Sequence, residues 1–128
     1  MIFLSPADFG EYYEHDFRYR WLRPAHLHEK LKKFRNADAL QWKMEGLSEE
    51  GREIWSFQWG HGQKKIALWT QIHGNESTAT MACIDLLNLL TGSDLHINLR
   101  DTLRSELSIH GILMLNPDGA ELYERRNA

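Results

Sequence analysis

The chain has 128 residues, of which 42% are hydrophobic and 26% charged, with a formal net charge of -3. This length allows one domain with a substantial core and hardly two, and the negative charge argues against a nucleic-acid binder, for which a basic surface is typical. No apolar run approaches the roughly 18 residues that a membrane span needs, and the first residues lack the basic and long apolar regions of a signal peptide. We therefore expect a cytoplasmic protein that binds no membrane.

The first 36 residues are predicted to be a helical lead-in to a domain that spans residues 37–128. Leu27, Leu31 and Phe34 recur at the spacing of a helix that packs by one face, and Pro24 suits a first helical turn. We therefore predict a helix over residues 24–35. The sequence leaves open whether the aromatic segment before it covers a site, forms a dimer or caps the fold.

Two segments, residues 40–45 and 52–59, alternate apolar and polar residues as half-buried strands do. The Gly-His-Gly-Gln sequence at residues 60–63 then predicts a hairpin onto a third strand, over residues 65–72. Residues 66–69 are apolar without alternation. That pattern is typical of a strand buried on both faces.

An apolar stripe from Ala79 to Leu90 predicts a helix that ends near Gly92, with the single cysteine, Cys83, as a core thiol. A second helix over residues 94–104 leads into another apolar strand, over residues 107–115. Strand, two helices and strand form a crossover between parallel strands. The predicted fold class is α/β, with an antiparallel hairpin leading into parallel central strands of a mixed sheet with crossover helices.

Polar side chains follow both parallel strands at the edge of the sheet where the strands end. His73 follows the first strand, and Glu76 is expected in the first turn of the next helix. A polar turn, Asn-Pro-Asp-Gly at residues 116–119, follows the second strand, and its Asn116 is a good helix cap with proline after it. Imidazole and carboxylate are both ligands of first-row metals, and a strand-to-helix turn lets the two point at one spot. Open α/β sheets bind their ligands at this edge. The sequence therefore predicts a metal site there.

These two motifs carry a resemblance to a known family. Residues 69–78 read Trp-Thr-Gln-Ile-His-Gly-Asn-Glu-Ser-Thr, and residues 114–120 read Met-Leu-Asn-Pro-Asp-Gly-Ala. With these motifs and their separation, the chain resembles the zinc carboxypeptidase family of metallopeptidases. The resemblance covers residues 39–128 and corresponds to the N-terminal portion of that family's catalytic domain.

The resemblance implies a zinc-dependent hydrolase that cleaves a peptide or amide bond with a metal-activated water. It implies that His73 and Glu76 hold Zn²⁺ together with a second histidine from much later in the chain, where a glutamate general base is also expected. It further implies an arginine that polarises the scissile carbonyl and contacts the substrate. Arg125 aligns best with that arginine, and Arg126 is the alternative.

The third zinc ligand and the general base that the resemblance implies do not occur in the 128 residues. We therefore predict that the chain is a truncated fragment and is inactive alone. The alternative is a short non-catalytic interaction module, whose last strand would be an exposed sheet edge that favours self-association. A zinc deacylase or amidase of the same fold is a further alternative, so the substrate is expected to be a peptide, an N-acyl amino acid or a cell-wall peptide.

Overall fold

Four strands form one mixed sheet in the computed structural model, which describes residues 9–92 and 96–127. The predicted α/β class is confirmed. In chain order the elements are α1 (Pro24–Arg35), β1 (Leu40–Leu47), β2 (Glu53–Trp59), β3 (Lys64–Trp69), α2 (Thr78–Thr91), α3 (Ile97–Glu106), β4 (Leu107–Ile112) and α4 (Pro117–Leu122).

The strand order in the sheet is β1-β2-β4-β3. β2 pairs antiparallel with β1 and β4, whereas β3 and β4 run parallel. In the parallel pair Lys64 lies opposite Leu107, and Trp69 lies opposite Ile112. The carboxyl ends of β3 and β4 therefore lie side by side at the same end of the sheet, as predicted.

The predicted hairpin between β2 and β3 is wrong, because β4 lies between these two strands. Residues 60–63 turn as expected but cross past the junction of α3 and β4. The amide of His61 donates to the Arg104 carbonyl (3.0 Å), and the amide of Gly62 donates to the Leu107 carbonyl (2.9 Å). A Cβ on Gly62 would lie 1.8 Å from the Glu106 carbonyl carbon, so this crossing requires glycine. The turn was predictable from local sequence, but the strand it leads to depends on distant residues.

The expected burial of β3 on both faces is also wrong. Among the described residues β3 is an edge strand, with Ile66 40% and Trp69 58% exposed. The expectation that the last strand forms the free edge fails for the same reason, since β4 has a partner on each side. An unbroken apolar run indicates burial only when neighbours cover both faces, and sequence alone does not place those neighbours.

One hydrophobic core joins the lead-in, α1, α2 and the sheet. Leu27, Leu31 and Phe34 of α1 are buried as predicted, and the α1 bounds match the predicted helix. Further core side chains are Phe17, Leu22, Leu40, Phe57, Trp59, Ile84, Leu87, Leu90 and Ile109. The core thus includes side chains from both sides of the proposed domain boundary at residue 36, and that boundary stays a prediction.

The crossover helices differ from the prediction in detail. The buried face of α2 contains Thr80, Ile84 and Leu87, whereas Ala79 is exposed. Apolar residues occur on all sides of this helix, so the sequence pattern does not show which face is buried. The second helix begins at Ile97, and residues 94 and 95 of the predicted helix lie outside the described residues. Of the helices in the described ranges, none is long and apolar enough to cross a membrane.

Candidate metal centre

His73 and Glu76 lie in a tight turn that joins the end of β3 to α2. The amide of Glu76 donates to the His73 carbonyl (3.0 Å), which closes the turn. The expectation that Glu76 lies in the first helical turn is wrong, because helix α2 begins at Thr78 and Glu76 precedes it. The strand–turn–helix placement of the pair is otherwise as predicted.

A network of buried polar side chains stabilises the conformation of this turn. Gln71 is 3% exposed and has a left-handed backbone conformation (φ 49°), which is uncommon for a residue with a side chain. Its amide group donates to the Gly74 carbonyl (2.8 Å) and accepts from the Thr80 hydroxyl (2.8 Å). The Thr70 hydroxyl completes the network with a hydrogen bond to Thr80 (2.9 Å). Sequence reasoning missed these residues, because threonine and glutamine are ordinary surface residues without tertiary context.

The turn after β4 packs directly against the His73–Glu76 turn. Strand β4 ends at Ile112 rather than at residue 115, because Met114 adopts a left-handed conformation (φ 66°) and interrupts the ladder. Pairing then resumes, with the Asn116 amide donating to the Gln71 carbonyl (3.1 Å). A Cβ on Gly74 would lie 1.9 Å from the Gly119 carbonyl carbon. The two turns are therefore in backbone contact.

Arg125 connects the two predicted metal ligands. The left-handed Tyr123 (φ 56°) ends α4 and returns the chain toward the first turn. The Arg125 carbonyl contacts His73 Nδ1 (3.3 Å), and its guanidinium forms an ion pair with Glu76. Arg126 instead pairs with Glu124 (3.1 Å), and its side chain is 84% exposed. Of the two predicted arginines, Arg125 is thus the one in contact with both His73 and Glu76.

The residue types at this edge suit a zinc site but do not complete one. Imidazole and carboxylate are zinc ligands, and His73 and Glu76 lie within reach of the same Arg125. Among the described residues no group of three or more histidine, cysteine, aspartate or glutamate side chains is placed to hold a metal ion. His110, which lies opposite Ala67 in the middle of the parallel ladder, contacts Glu45 (3.6 Å) instead. The described residues therefore offer two candidate ligands, whereas a protein zinc site needs at least three.

Asp118, which the sequence assigned only to a turn, anchors α4 to the turn between β1 and β2. It accepts hydrogen bonds from the Ser48 hydroxyl (2.7 Å), the Glu50 amide (3.2 Å) and Arg52 (2.6 Å). Burial raises the pKa of Asp118, but these hydrogen bonds and the nearby Arg52 charge outweigh burial and lower the pKa below its usual value. Asp118 is therefore an ionised structural anchor.

The lead-in supports the same two turns, which answers part of the question left open by the sequence. Ser77 donates to the Tyr19 carbonyl (2.9 Å), and Gln71 donates to the Leu22 carbonyl (3.2 Å). Trp21 donates to the Ala120 carbonyl in α4 (2.9 Å). The aromatic segment therefore packs against the back of the candidate site.

Open clefts border the candidate ligands. His73, Glu124, Arg125 and Arg126 line a cleft of about 540 Å³. Glu76 borders two others, and one of them includes Arg18, Tyr19 and Arg20 of the lead-in. A more enclosed cavity of about 250 Å³ lies between α1 and β2, with mainly apolar walls, and contains neither candidate ligand. Open clefts therefore lie beside both His73 and Glu76.

The turn after β3 thus presents a histidine and a glutamate, both of which are ligand types for zinc. A family model described as zinc carboxypeptidase matches residues 28–128. The chain therefore belongs to the zinc carboxypeptidase family. A search of curated proteins found no match.

Solved structures share the fold at low sequence identity. A metallo-carboxypeptidase from Burkholderia cenocepacia superposes with a TM-score of 0.74 and 21% identity, over 82% of this chain and 30% of its own. A metallo-carboxypeptidase from Pseudomonas aeruginosa, in complex with (2-guanidinoethylmercapto)succinic acid, superposes with a TM-score of 0.68 and 18% identity. The match covers 82% of this chain and 28% of that structure's chain. Carboxypeptidase A from Helicoverpa armigera has a TM-score of 0.54 and 21% identity, over 80% of this chain and 27% of its own. The chain thus spans about 30% of the length of these structures.

Proposed function

We propose that this chain is the part of a zinc-dependent carboxypeptidase that supplies two metal ligands, His73 and Glu76, and a substrate-contacting cation, Arg125. The observation that carries the proposal is the contact of Arg125 with both candidate ligands at the shared edge of β3 and β4. The family membership of residues 28–128 supports it. When bound, zinc would polarise the substrate carbonyl and lower the pKa of a bound water.

The chain's own residues divide the remaining tasks. The buried Gln71 and Thr80 fix the turn that carries His73 and Glu76. The Glu76 carboxylate, proposed as a metal ligand, also forms an ion pair with the Arg125 guanidinium through one of its two oxygens. Arg125 would thus lie beside the proposed ligands, where its guanidinium could hydrogen-bond to the substrate carbonyl and stabilise its developing negative charge.

Zinc binding by the purified chain tests the ligand assignment. We expect weak binding, because two protein ligands leave the site incomplete. The substitutions His73→Ala and Glu76→Gln should abolish it, as followed by NMR of the histidine rings. His61→Ala is the matched control, since His61 is an exposed histidine at the opposite end of β3. Equal zinc binding by His73→Ala and the unsubstituted chain would contradict the proposal.

Hydrolysis assays test the activity of the chain. We expect no hydrolysis of peptides with a free C-terminus by residues 1–128 alone, because no third ligand lies beside the pair in the described residues. Assays of peptides and of N-acyl amino acids in parallel would separate a peptidase from a deacylase in any longer form of the protein. Hydrolysis by residues 1–128 that a chelator abolishes would show the inactivity expected here to be wrong.

We propose self-association as a second candidate function, because β3 is an edge strand among the residues that the structure describes. The Thr70 amide points to β4, so the alternating amides of Lys65, Ala67 and Trp69 point to the free side. Antiparallel pairing of two copies about Ala67 would place Lys65 opposite Trp69, whereas parallel pairing would place lysines side by side. We expect a concentration-dependent dimer in sedimentation. Ala67→Pro should make it monomeric, because proline removes only an edge donor; a dimer that persists would contradict this pairing.

A further inference from the structure

We propose that Asn116 is a positioning residue that holds the His73–Glu76 turn and the Arg125 segment in one fixed arrangement. This inference rests on the proposed function, because it assigns Asn116 to the alignment of the proposed metal ligands and their cation. The sequence indicated only that Asn116 caps α4.

The Asn116 side chain joins three separate segments. Its oxygen accepts from the Gly119 amide (2.9 Å), which is the helix-capping contact. Its nitrogen donates to the carbonyl of Ile72 (3.1 Å), the residue before His73, and to the carbonyl of Arg126 (3.2 Å), the residue after Arg125. Both amide protons thus reach outside α4, each to a neighbour of a proposed site residue.

The hydrogen bonds of the Asn116 side chain lie in a buried position. Asn116 is 6% exposed, so a lost hydrogen bond is not readily replaced by water. The Arg126 side chain is exposed, and its backbone carbonyl is the part that Asn116 holds. The Glu124 amide contributes a contact to the Gly119 carbonyl (2.8 Å), but that bond lies before Arg125. Asn116 therefore fixes the far side of Arg125.

The chemistry of the side chain separates capping from positioning. Aspartate and serine cap helices about as well as asparagine, because capping needs only an acceptor. Neither supplies the two amide protons, and aspartate would set a negative charge against the carbonyls of Ile72 and Arg126. A role in capping alone thus predicts that Asn116→Asp behaves like the unsubstituted chain, whereas a positioning role predicts that it does not.

The test compares Asn116→Asp and Asn116→Ser with Asp118→Asn as the matched control. Asp118→Asn weakens the opposite anchor of α4 at Ser48 and Arg52 without touching the Ile72 or Arg126 carbonyl. Zinc alone is titrated into each chain, and thermal unfolding is recorded in parallel. We expect about tenfold weaker zinc binding for both Asn116 variants, the lower end of the 10–100-fold loss on removal of a residue that orients a ligand. Asp118→Asn should lower stability and leave zinc affinity unchanged.

A metal-free measurement separates failure of this inference from failure of the proposed function. In the unsubstituted chain the His73 ring should give nuclear Overhauser contacts with the backbone of Arg125, and both Asn116 variants should lose them. If no chain binds zinc, the proposed function fails while these contacts still decide the role of Asn116. Retained contacts and zinc affinity in Asn116→Ser, or equal loss in Asp118→Asn, would overturn the positioning role even if Asn116→Asp did not fold.

Discussion

Gly74→Ala tests whether the two turns of the candidate site meet backbone to backbone. The new Cβ would lie 1.9 Å from the Gly119 carbonyl carbon, 2.2 Å from the Ala120 nitrogen and 2.3 Å from the Gly119 oxygen. These are main-chain atoms of α4, so they cannot rotate away as a flexible side chain would. The turn and α4 must separate to admit the methyl group.

The expected cost lies at the upper end of the range for an overpacked interior, about 3 kcal/mol, because three backbone atoms clash at once. With a urea dependence of about 2 kcal/mol/M, this destabilisation would lower the unfolding midpoint by about 1.5 M urea. Equilibrium urea unfolding followed by tryptophan fluorescence measures it directly.

Gly46→Ala is the control for the effect of replacing a glycine. Nothing lies within 4 Å of a Cβ built on Gly46, which is in β1. We expect its free energy of unfolding to change by no more than about 0.5 kcal/mol. Equal stability of the Gly74→Ala and Gly46→Ala chains would refute the contact between the turns.

Four further predictions follow from individual contacts. A hydrogen bond from Lys33 and the adjacent charges outweigh burial and lower the pKa of Glu14 to about 2. Because this folded-state pKa lies below the ordinary value, the stabilisation is present above about pH 4.5 and is lost as pH falls toward 2. Glu14→Gln should lower the free energy of unfolding by about 1–2 kcal/mol at pH 7 and make it depend less on pH between 4.5 and 2. An unchanged pH dependence would contradict this. Gly62→Ala should destabilise the chain by about 3 kcal/mol in urea unfolding, since its Cβ would overlap the backbone between α3 and β4; a neutral result would mean that residues 60–63 do not cross there. Burial raises the pKa of the Cys83 thiol to about 11 from 9.0, so alkylation at pH 7 should be about 100-fold slower in the folded chain than in urea, and equal rates would refute the burial. Arg125→Ala should tighten zinc binding by up to about fivefold, because it removes an exposed ion pair that competes for Glu76; weaker binding would show that Arg125 helps to hold the ligands.

Local sequence determined the features that depend on neighbouring residues. The spacing of Leu27, Leu31 and Phe34 defines α1, and Asn116 with the following proline begins α4. The polar residues after the apolar run identified the turn that carries His73 and Glu76. Parallel pairing of β3 and β4 was also predictable, because the intervening helices require a crossover connection.

Tertiary structure alone decided which segments meet. The sequence placed β3 beside β2, but β4 inserts between them, since strand partners are chosen by long-range pairing that no local pattern encodes. For the same reason it missed Gln71 beneath the turn and the contact of Arg125 with both His73 and Glu76. Asn116 shows both levels: its sequence context predicted a helix cap, and only the folded chain brings its amide protons to the carbonyls of Ile72 and Arg126.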